Sequence, residues 1–598
     1  MVFKQKRWDL TDVLAYREGK QFDDFLSGIE KDVKEFEGLR PTLGSMDRAG
    51  LETAIALKEK ITEKLFRLGA YGGLCFAADT QSEKINAFRK KTEEIVTVAN
   101  NRLRFFELWL GSLDEHRAKD IMPTKNDYKA YVDNIRNLSK YDLNEKAEEA
   151  ISIKDLSGSS AWKSLYDTTT SAFNFIVRDG RKAVKDKKGK TKLFLNEELN
   201  LLITGREIKM GSLAYKARFN KYAANGRLLF DIYSNIVKDY DDEASLRGFS
   251  TPISRMNVEN GIEDEAVEAL LSACRKNNGI FQRFFGVKAR LLGVDKLSRS
   301  NLYTAIDTVD KKMEYSDAVE QVLDTFRAFD SRFSDLARLV FEKDHVDSET
   351  RPGKRGGAFC EPWSAKGVPY ILLNYTGNIE SVSTIAHESG HAIHSLLASS
   401  HPILAGDGMP HNSGLPLAET ASIFAEMILN DRLMATTEDP KIKRTILIRE
   451  IEKAYAAITR QAYFVIFEKQ AHEAIKKGAS TDEICDMYYK SLKEQFGESV
   501  SIPEEFKWEW SYIPHIFHTP FYCYAYSFGS LLTYAMYDRY GKNPEATRDE
   551  MVKLLSYGGS RKPSEILKEI GIDIKSEAFW QSGFDVLKER VAELEKLI

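Results

Sequence analysis

His387, Glu388 and His391 belong to one H-E-x-x-H pattern, His387-Glu388-Ser389-Gly390-His391, inside a stretch from 385 to 397 that reads as helix. Two histidines four residues apart stand one turn apart on the same helix face. Their imidazoles can share one zinc ion, and the glutamate between them can act as general base on a water at that ion. A hydrolytic zinc site takes three protein ligands and keeps a fourth position open. The next candidate ligand lies in Leu415-Pro416-Leu417-Ala418-Glu419-Thr420, which reads as a helix begun near Pro416 because proline is favoured in a first turn. Glu419 and Glu426 share a face of that helix, and Gly406, Gly408 and Gly414 before it allow the chain to turn back and bring Glu419 to the metal. The plainer role for Glu419 is a first-turn carboxylate stabilised by the helix dipole. Glu426 is either a solvated acid or a group behind the ligands that orients a histidine. His394 competes for the third position, but it lies about 10 Å from His387 along a straight helix axis. It is expected as an interior histidine or a support behind the ligands. No H-E-x-x-H-x-x-G-x-x-H pattern is present, which excludes the three-histidine class of zinc proteases.

A second concentration of chemistry spans 508–526, where Trp508, Trp510, Tyr512, His515, His518, Tyr522, Tyr524 and Tyr526 crowd together. Eight of the ten histidines fall between 387 and 518, where they could meet in one cleft. Peptide hydrolysis passes through a tetrahedral oxyanion, and Tyr O–H and His N–H groups are suitable donors to it. Taken alone, the aromatic run reads as a core helix after a Pro-bounded loop, with Tyr522 and Tyr526 packing at i, i+4.

Together the segments HESGHAIHS, LAETASIFAE and IPHIFHTPFYCYAYSFGS resemble the oligoendopeptidase F family, relatives of the thimet-type zinc oligopeptidases. The resemblance runs nearly the whole chain. It takes in Trp8-Asp9-Leu10, Lys354-Arg355-Gly356-Gly357-Ala358-Phe359, Pro369-Tyr370-Ile371-Leu372-Leu373-Asn374-Tyr375, Gly558-Gly559-Ser560, Gly571 and Phe579-Trp580. It implies a zincin-like helical body around a deep substrate channel that admits short, flexible peptides and excludes folded proteins. It implies one Zn2+ held by His387, His391 and Glu419, with Glu388 as catalytic acid/base. It brings His515 and tyrosines among Tyr522, Tyr524 and Tyr526 to the substrate carbonyl, with Tyr522 and Tyr524 as the expected donors. Gly357, Ala358, Tyr370, His518 and Tyr526 are the further substrate contacts expected. Ser389 departs from the larger apolar residue that relatives often carry.

The segment before the motif supports this reading from its own residues. The run 368–373 reads as a short strand ending at the turn signal Asn374-Tyr375-Thr376-Gly377. An edge strand there could pair with a peptide backbone, and Gly356-Gly357 could admit close approach or act as a hinge. An ordinary structural strand is the alternative.

Elsewhere the chain reads as mainly α with a few short strands. Phe22, Phe25, Leu26, Ile29, Val33 and Phe36 recur at helical spacing. Comparable stretches cover 51–71, 82–113, 128–138, 264–276, 319–341, 441–477 and 548–555. A hairpin is expected near 173–195, with Asp179-Gly180 and Gly189 turning a basic tip. The working division is an N-terminal helical region, 1–200, and a catalytic region, 201–598. Lysine and arginine number 86 against 90 acids, net −4, so neither a nucleic-acid nor a membrane partner is expected. No run approaches twenty apolar residues, the N-terminus lacks a signal-peptide core, and the five cysteines are scattered, which together point to the cytoplasm. The expected activity is zinc-dependent endopeptidase cleavage of oligopeptides. The alternative is a zinc carboxypeptidase or dipeptidyl carboxypeptidase, which needs a cation for the substrate's terminal carboxylate; Lys354, Arg355 and Lys366 are the nearby cations. A helical binding protein with a vestigial metal site is disfavoured by the presence of both Glu388 and Glu419. Oligomeric state and cleavage preference are encoded in no motif.

Overall fold

The structure is a computed structural model that describes residues 2–306, 312–406 and 414–598. Gly408 of the expected turn-back segment lies outside the described residues. The chain is 71% helical, which agrees with the mainly α reading. The helices sit where apolar spacing put them. Lys20–Glu37 buries Phe22, Ile29, Val33 and Phe36, and Asp264–Lys276 matches its stretch residue for residue. Three long stretches are broken, that over 82–113 into Glu83–Leu103 and Phe105–Ser112 at Arg104. The run 319–341 becomes Tyr315–Phe329 and Ser331–Glu342, because Asp330 leaves helical geometry and caps the second piece by accepting the Arg332 N–H. The run 441–477 becomes Pro440–Ala454 and Arg460–Lys476, joined by a π-helical turn at Tyr455–Thr459.

Seven strands of two or three residues occur among the described residues. They are β1 (Arg178–Asp179), β2 (Lys182–Ala183), β3 (Leu297–Ser298), β4 (Val346–Asp347), β5 (Phe359–Glu361), β6 (Tyr370–Leu372) and β7 (Val500–Ser501). The expected hairpin is present as β1 and β2 in antiparallel pairing, continued by bridges Phe175–Phe194 and Lys185–Thr191, with left-handed turns at Gly180 and Gly189.

Contacts group the chain into two units that ignore the division expected near residue 200. The first is Met1–Lys140, Val309–Thr436 and Met536–Asp573; the second is Tyr141–Thr308, Thr437–Ala535 and Ile574–Ile598. Within the first, Lys20–Glu37, Arg48–Ala78 and Glu83–Leu103 bury a core around Phe36, Ile55, Leu65 and Phe106. A smaller cluster of Trp8, Val13, Tyr71, Tyr370 and Leu372 ties these helices to a three-stranded sheet of order β4-β6-β5. β4 runs parallel to β6 and β5 antiparallel to it. The strand read at 368–373 is therefore the middle strand, paired on both sides, which is the structural alternative and not the edge strand. β5 holds an outer position.

Within the second unit, Ile208–Ala224 and Gly226–Leu246 pack with the segment Glu504–Tyr512. Gly226 lets the Trp508 ring lie against the backbone, since a Cβ there would stand 2.2 Å from it. Arg299 and Glu509 form an ion pair in this core with both side chains almost fully buried. All five cysteines are free. Among the described residues no helix is long and apolar enough to cross a membrane.

Candidate active site

The H-E-x-x-H residues lie on Ile379–Leu397, a longer helix than the one expected, because Asn378 caps its start by accepting the Ser381 N–H at 2.8 Å. His387 and His391 stack one turn apart, ring centroids 4.9 Å apart and planes nearly perpendicular. The second contributor, Thr420–Thr436, packs along this helix. Glu419 stands at the junction between the short turn Leu415–Ala418 and that helix, with φ −93° and ψ 0°. Its Oε2 lies 3.5 Å from Nε2 of His387 and 3.5 Å from Nε2 of His391. One ligand atom from each of the three residues falls within 4.8 Å of the other two, and this is the group with metal-ligand geometry among the described residues.

A glycine makes the approach possible. A Cβ on Gly390 would stand 2.6 Å from the Ala421 carbonyl oxygen and 2.6 Å from the Ser422 Cα, so the two helices cross at backbone contact there. A mid-helix glycine costs about 1 kcal/mol relative to alanine. That cost was the sequence signal for this residue, and sequence reasoning passed over it in favour of its neighbour Ser389.

The supporting groups are well defined. Glu426 accepts from Nδ1 of His387 at 2.7 Å, which turns Nε2 toward Glu419. Ser383, one turn before His387, donates to the other Glu426 oxygen at 2.7 Å. Ser422 donates to Oε2 of Glu419 at 2.7 Å. His391 hydrogen-bonds the Ala418 backbone. The sequence left Ser383 and Ser422 unmarked, although each lies one helical turn from a marked residue. His394 is buried.

Electrostatics follow from burial and crowded acids. Burial pushes the Glu388 carboxyl up to about 7; His387 pulls it back, while Glu419 and Glu426 push it further up. Burial lowers His391 to about 4. Burial would lower His387 too, but the hydrogen bond and charge of Glu426 prevail and raise it. The donor set of two imidazoles and a carboxylate, with a carboxylate behind one histidine, fits a zinc ion.

The segment before the motif is tied down by Lys354. Its side chain is 0% exposed, pairs with Asp347 at 2.7 Å and donates to the carbonyls of Asp347, Glu349 and Leu373. It is unavailable as a clamp for a substrate carboxylate. Gly357 is exposed with φ +77°, and its carbonyl accepts from Asn374. Ala358 is half-buried at the start of β5. Tyr370 is a correction. It is 0% exposed, stacked on His345 at 3.9 Å, and its hydroxyl donates to the Asp9 carbonyl, so no face of it is left for substrate.

The aromatic run of the second unit resolves into Pro514–His518, a turn, and Tyr524–Lys542. His515, Tyr522 and Tyr526 are half-buried and meet as three rings. His515 lies 6.1 Å from Tyr522 in parallel and 5.9 Å from Tyr526 at 90°, and the two tyrosines stand 5.2 Å apart. Burial, with the charges of Arg460 and His518, lowers His515. His518 is turned to Asp167, 2.8 Å away, and its ring meets the edge of Tyr166. Tyr524 is the second correction. It is 0% exposed and its hydroxyl accepts from Asn260 at 2.8 Å, so the register that puts it with the substrate donors is wrong for a physical reason: it points into the core while Tyr522 and Tyr526 do not.

The chain is similar to known peptidases along nearly its whole length. The model of "Peptidase family M3" matches residues 212–586, more than half the chain, and that of "Oligopeptidase F" matches 109–175. An oligoendopeptidase F homolog from Lactococcus lactis is 23% identical, with 99% of this chain and 97% of the relative covered. A solved Chlamydophila abortus chain shares the fold with a TM-score of 0.85 at 21% identity, covering 99% of this chain and 98% of that one. The solved oligoendopeptidase-F from Enterococcus faecium has a TM-score of 0.70 at 19% identity, covering 96% and 98%. With a peptidase model spanning both the metal-ligand helices and the aromatic run, the chain belongs to peptidase family M3.

Proposed function

We propose that this peptidase is a zinc-dependent endopeptidase of short, unstructured oligopeptides. The observation that carries the reading is the convergence of His387, His391 and Glu419 within 4.8 Å, with Glu426 fixing one histidine from behind. A zinc ion held by these three side chains would supply Lewis acidity to the scissile carbonyl and to the attacking water. Glu388, next to His387 on the same helix, takes a proton from that water and delivers it to the leaving amine. His515, Tyr522 and Tyr526 donate hydrogen bonds to the carbonyl oxygen as it gains charge. The outer strand β5, entered through Gly356-Gly357-Ala358, pairs with the peptide backbone and so binds it with little side-chain preference. Five free thiols suit a reducing compartment, and we assign the enzyme to the cytoplasm.

The test is Glu388→Gln in protein of verified zinc content, assayed on a quenched fluorescent oligopeptide. Turnover is expected to fall about 100-fold to 10,000-fold with zinc retained. Activity within a few-fold of wild type would remove Glu388 from the mechanism. A C-terminally amidated peptide tests the endopeptidase assignment, because an endopeptidase cleaves it as readily as the free acid. Loss of cleavage on amidation would favour a carboxypeptidase.

A further inference from the structure

The turn that carries Tyr522 holds a backbone conformation that its sequence does not favour. Phe521 has φ +61°, one of two non-glycine residues in the left-handed region among those described. A bulky residue there is a steric outlier, and such conformations persist only where their surroundings enforce them. The enforcement comes from Arg460–Lys476. Glu468, fully buried on that helix, accepts the Phe521 N–H at 2.8 Å. His472, one turn further along, packs its ring 4.5 Å from the Phe521 ring and is itself held by Asp241 at 2.7 Å. Tyr240 closes the other side at 5.9 Å. Phe521 is thus gripped by both its amide and its ring.

The consequence falls on the next residue. The chain leaves Pro514–His518 through the Thr519 N–H to His515 carbonyl bond, and Tyr522 N–H then bonds back to Thr519. The left-handed residue between them reverses the chain so that Tyr522 leaves the turn facing His515, with Tyr526 following on the first turn of the next helix. At an ordinary right-handed φ the following peptide plane would rotate and Tyr522 would leave the turn in another direction.

We propose that Glu468 and Phe521 form a latch whose task is to position Tyr522 for the reaction: Glu468 is a positioning residue, acting through the Phe521 amide and not on substrate. This rests on the reading of Tyr522 as a donor to the substrate carbonyl. Burial pushes the Glu468 carboxyl up to about 8, and its second oxygen has no hydrogen-bond partner, so the side chain is kept at this place against a desolvation cost.

The experiment is a double-mutant cycle on the full-length, zinc-loaded enzyme, with kcat and KM measured on one quenched fluorescent oligopeptide. Tyr522→Phe is expected to lower kcat about 100-fold. Glu468→Ala is expected to lower kcat about 10-fold to 100-fold with KM changed less than about twofold, as misplacement of a positioned group does. Glu468→Gln, whose amide oxygen still accepts the Phe521 N–H, is expected to keep kcat within about threefold of wild type. The double variant Glu468→Ala with Tyr522→Phe should be no slower than Tyr522→Phe alone. Should Glu468→Ala not fold, Phe521→Ala replaces it under the same criteria. If Tyr522→Phe is slow but Glu468→Ala matches wild type, or if the two losses multiply, the latch is overturned while the donor reading stands. If Tyr522→Phe leaves kcat unchanged, the donor reading fails, and the latch with it.

Discussion

The two chemical regions of this chain are built by opposite means. The metal-ligand group is local: two histidines at i, i+4 on one helix, and a glutamate at the start of the helix packed against it. What brings them together is a residue inside the motif itself, Gly390, where the helices touch. The ring cluster of His515, Tyr522 and Tyr526 spans a shorter length of sequence, 515–526 against 387–419, yet its arrangement depends on Glu468 and His472, about fifty residues upstream. A helix enforces side-chain spacing by its own geometry, whereas a tight turn has no preferred direction until something outside it chooses one. The first region should therefore fail when its own residues change, and the second when its remote supports change.

The largest effect expected within the metal region is at Glu426. Removing it in Glu426→Ala frees His387 to rotate, and zinc affinity is expected to fall about 10-fold to 100-fold. Competition with a calibrated chelator measures this directly. If affinity is unchanged, His387 does not need that carboxylate, and the metal group holds its geometry without Glu426. Gly390→Ala asks the complementary question. The added methyl would stand 2.6 Å from two backbone atoms, so the helices must separate by several tenths of an ångström. Overpacking of this kind costs about 1–3 kcal/mol, read by urea unfolding, and zinc affinity should fall with it because Glu419 moves away from the histidines. Normal zinc affinity in a destabilised Gly390→Ala protein would separate packing from ligation.

These contrasts explain what was legible in the sequence. His387, His391 and Glu419 could be read because their relation is set by helix periodicity and one crossing. Glu426 could be read because it shares a face with Glu419. The helical stretches were legible wherever apolar residues recurred at three and four, and the misplaced ends trace to single residues such as Asp330 at a cap. Tyr524 could not be sorted from Tyr522 and Tyr526, since alternate residues after a turn face opposite ways and the turn's direction is fixed by Glu468. The burial of Tyr370 is not legible, because the run 368–373 fits an edge strand and a structural strand equally well. Its neighbour β4 contributes two residues, Val346–Asp347, too short a run for any pattern to reveal. The two contact units escaped notice because each is assembled from three segments, and sequence order carries no record of which distant helices share a core.

The remote support of the ring cluster has a pH signature. The Glu468 carboxyl stands at about 8 in the folded chain against an ordinary value near 4.5, so folding favours its protonated form. Its contribution is complete below about pH 4.5 and is lost as pH rises toward 8, where the unfolded chain has released a proton that the folded chain retains. The expected loss relative to Glu468→Gln is up to about 1 kcal/mol per pH unit across that window. Urea unfolding of both proteins at pH 5, 6.5 and 8 reads the difference, and groups common to both cancel. A difference that does not change with pH would mean that Glu468 is ionised in the folded chain.

The smallest effect tests the register of the tyrosines. Tyr524 lies in the core with its hydroxyl taking the Asn260 amide. Tyr524→Phe leaves that buried amide short of one partner and is expected to cost about 1 kcal/mol of stability, with kcat within about twofold of wild type. Tyr522→Phe should show the reverse pattern, with little loss of stability and a large loss of turnover, because its ring is half-buried and faces His515. The two residues are two positions apart and carry the same chemistry, so only their direction distinguishes them. A kcat loss in Tyr524→Phe as large as that in Tyr522→Phe would mean that both tyrosines depend on one arrangement of the turn, and that the division between a core tyrosine and a substrate-facing tyrosine does not hold.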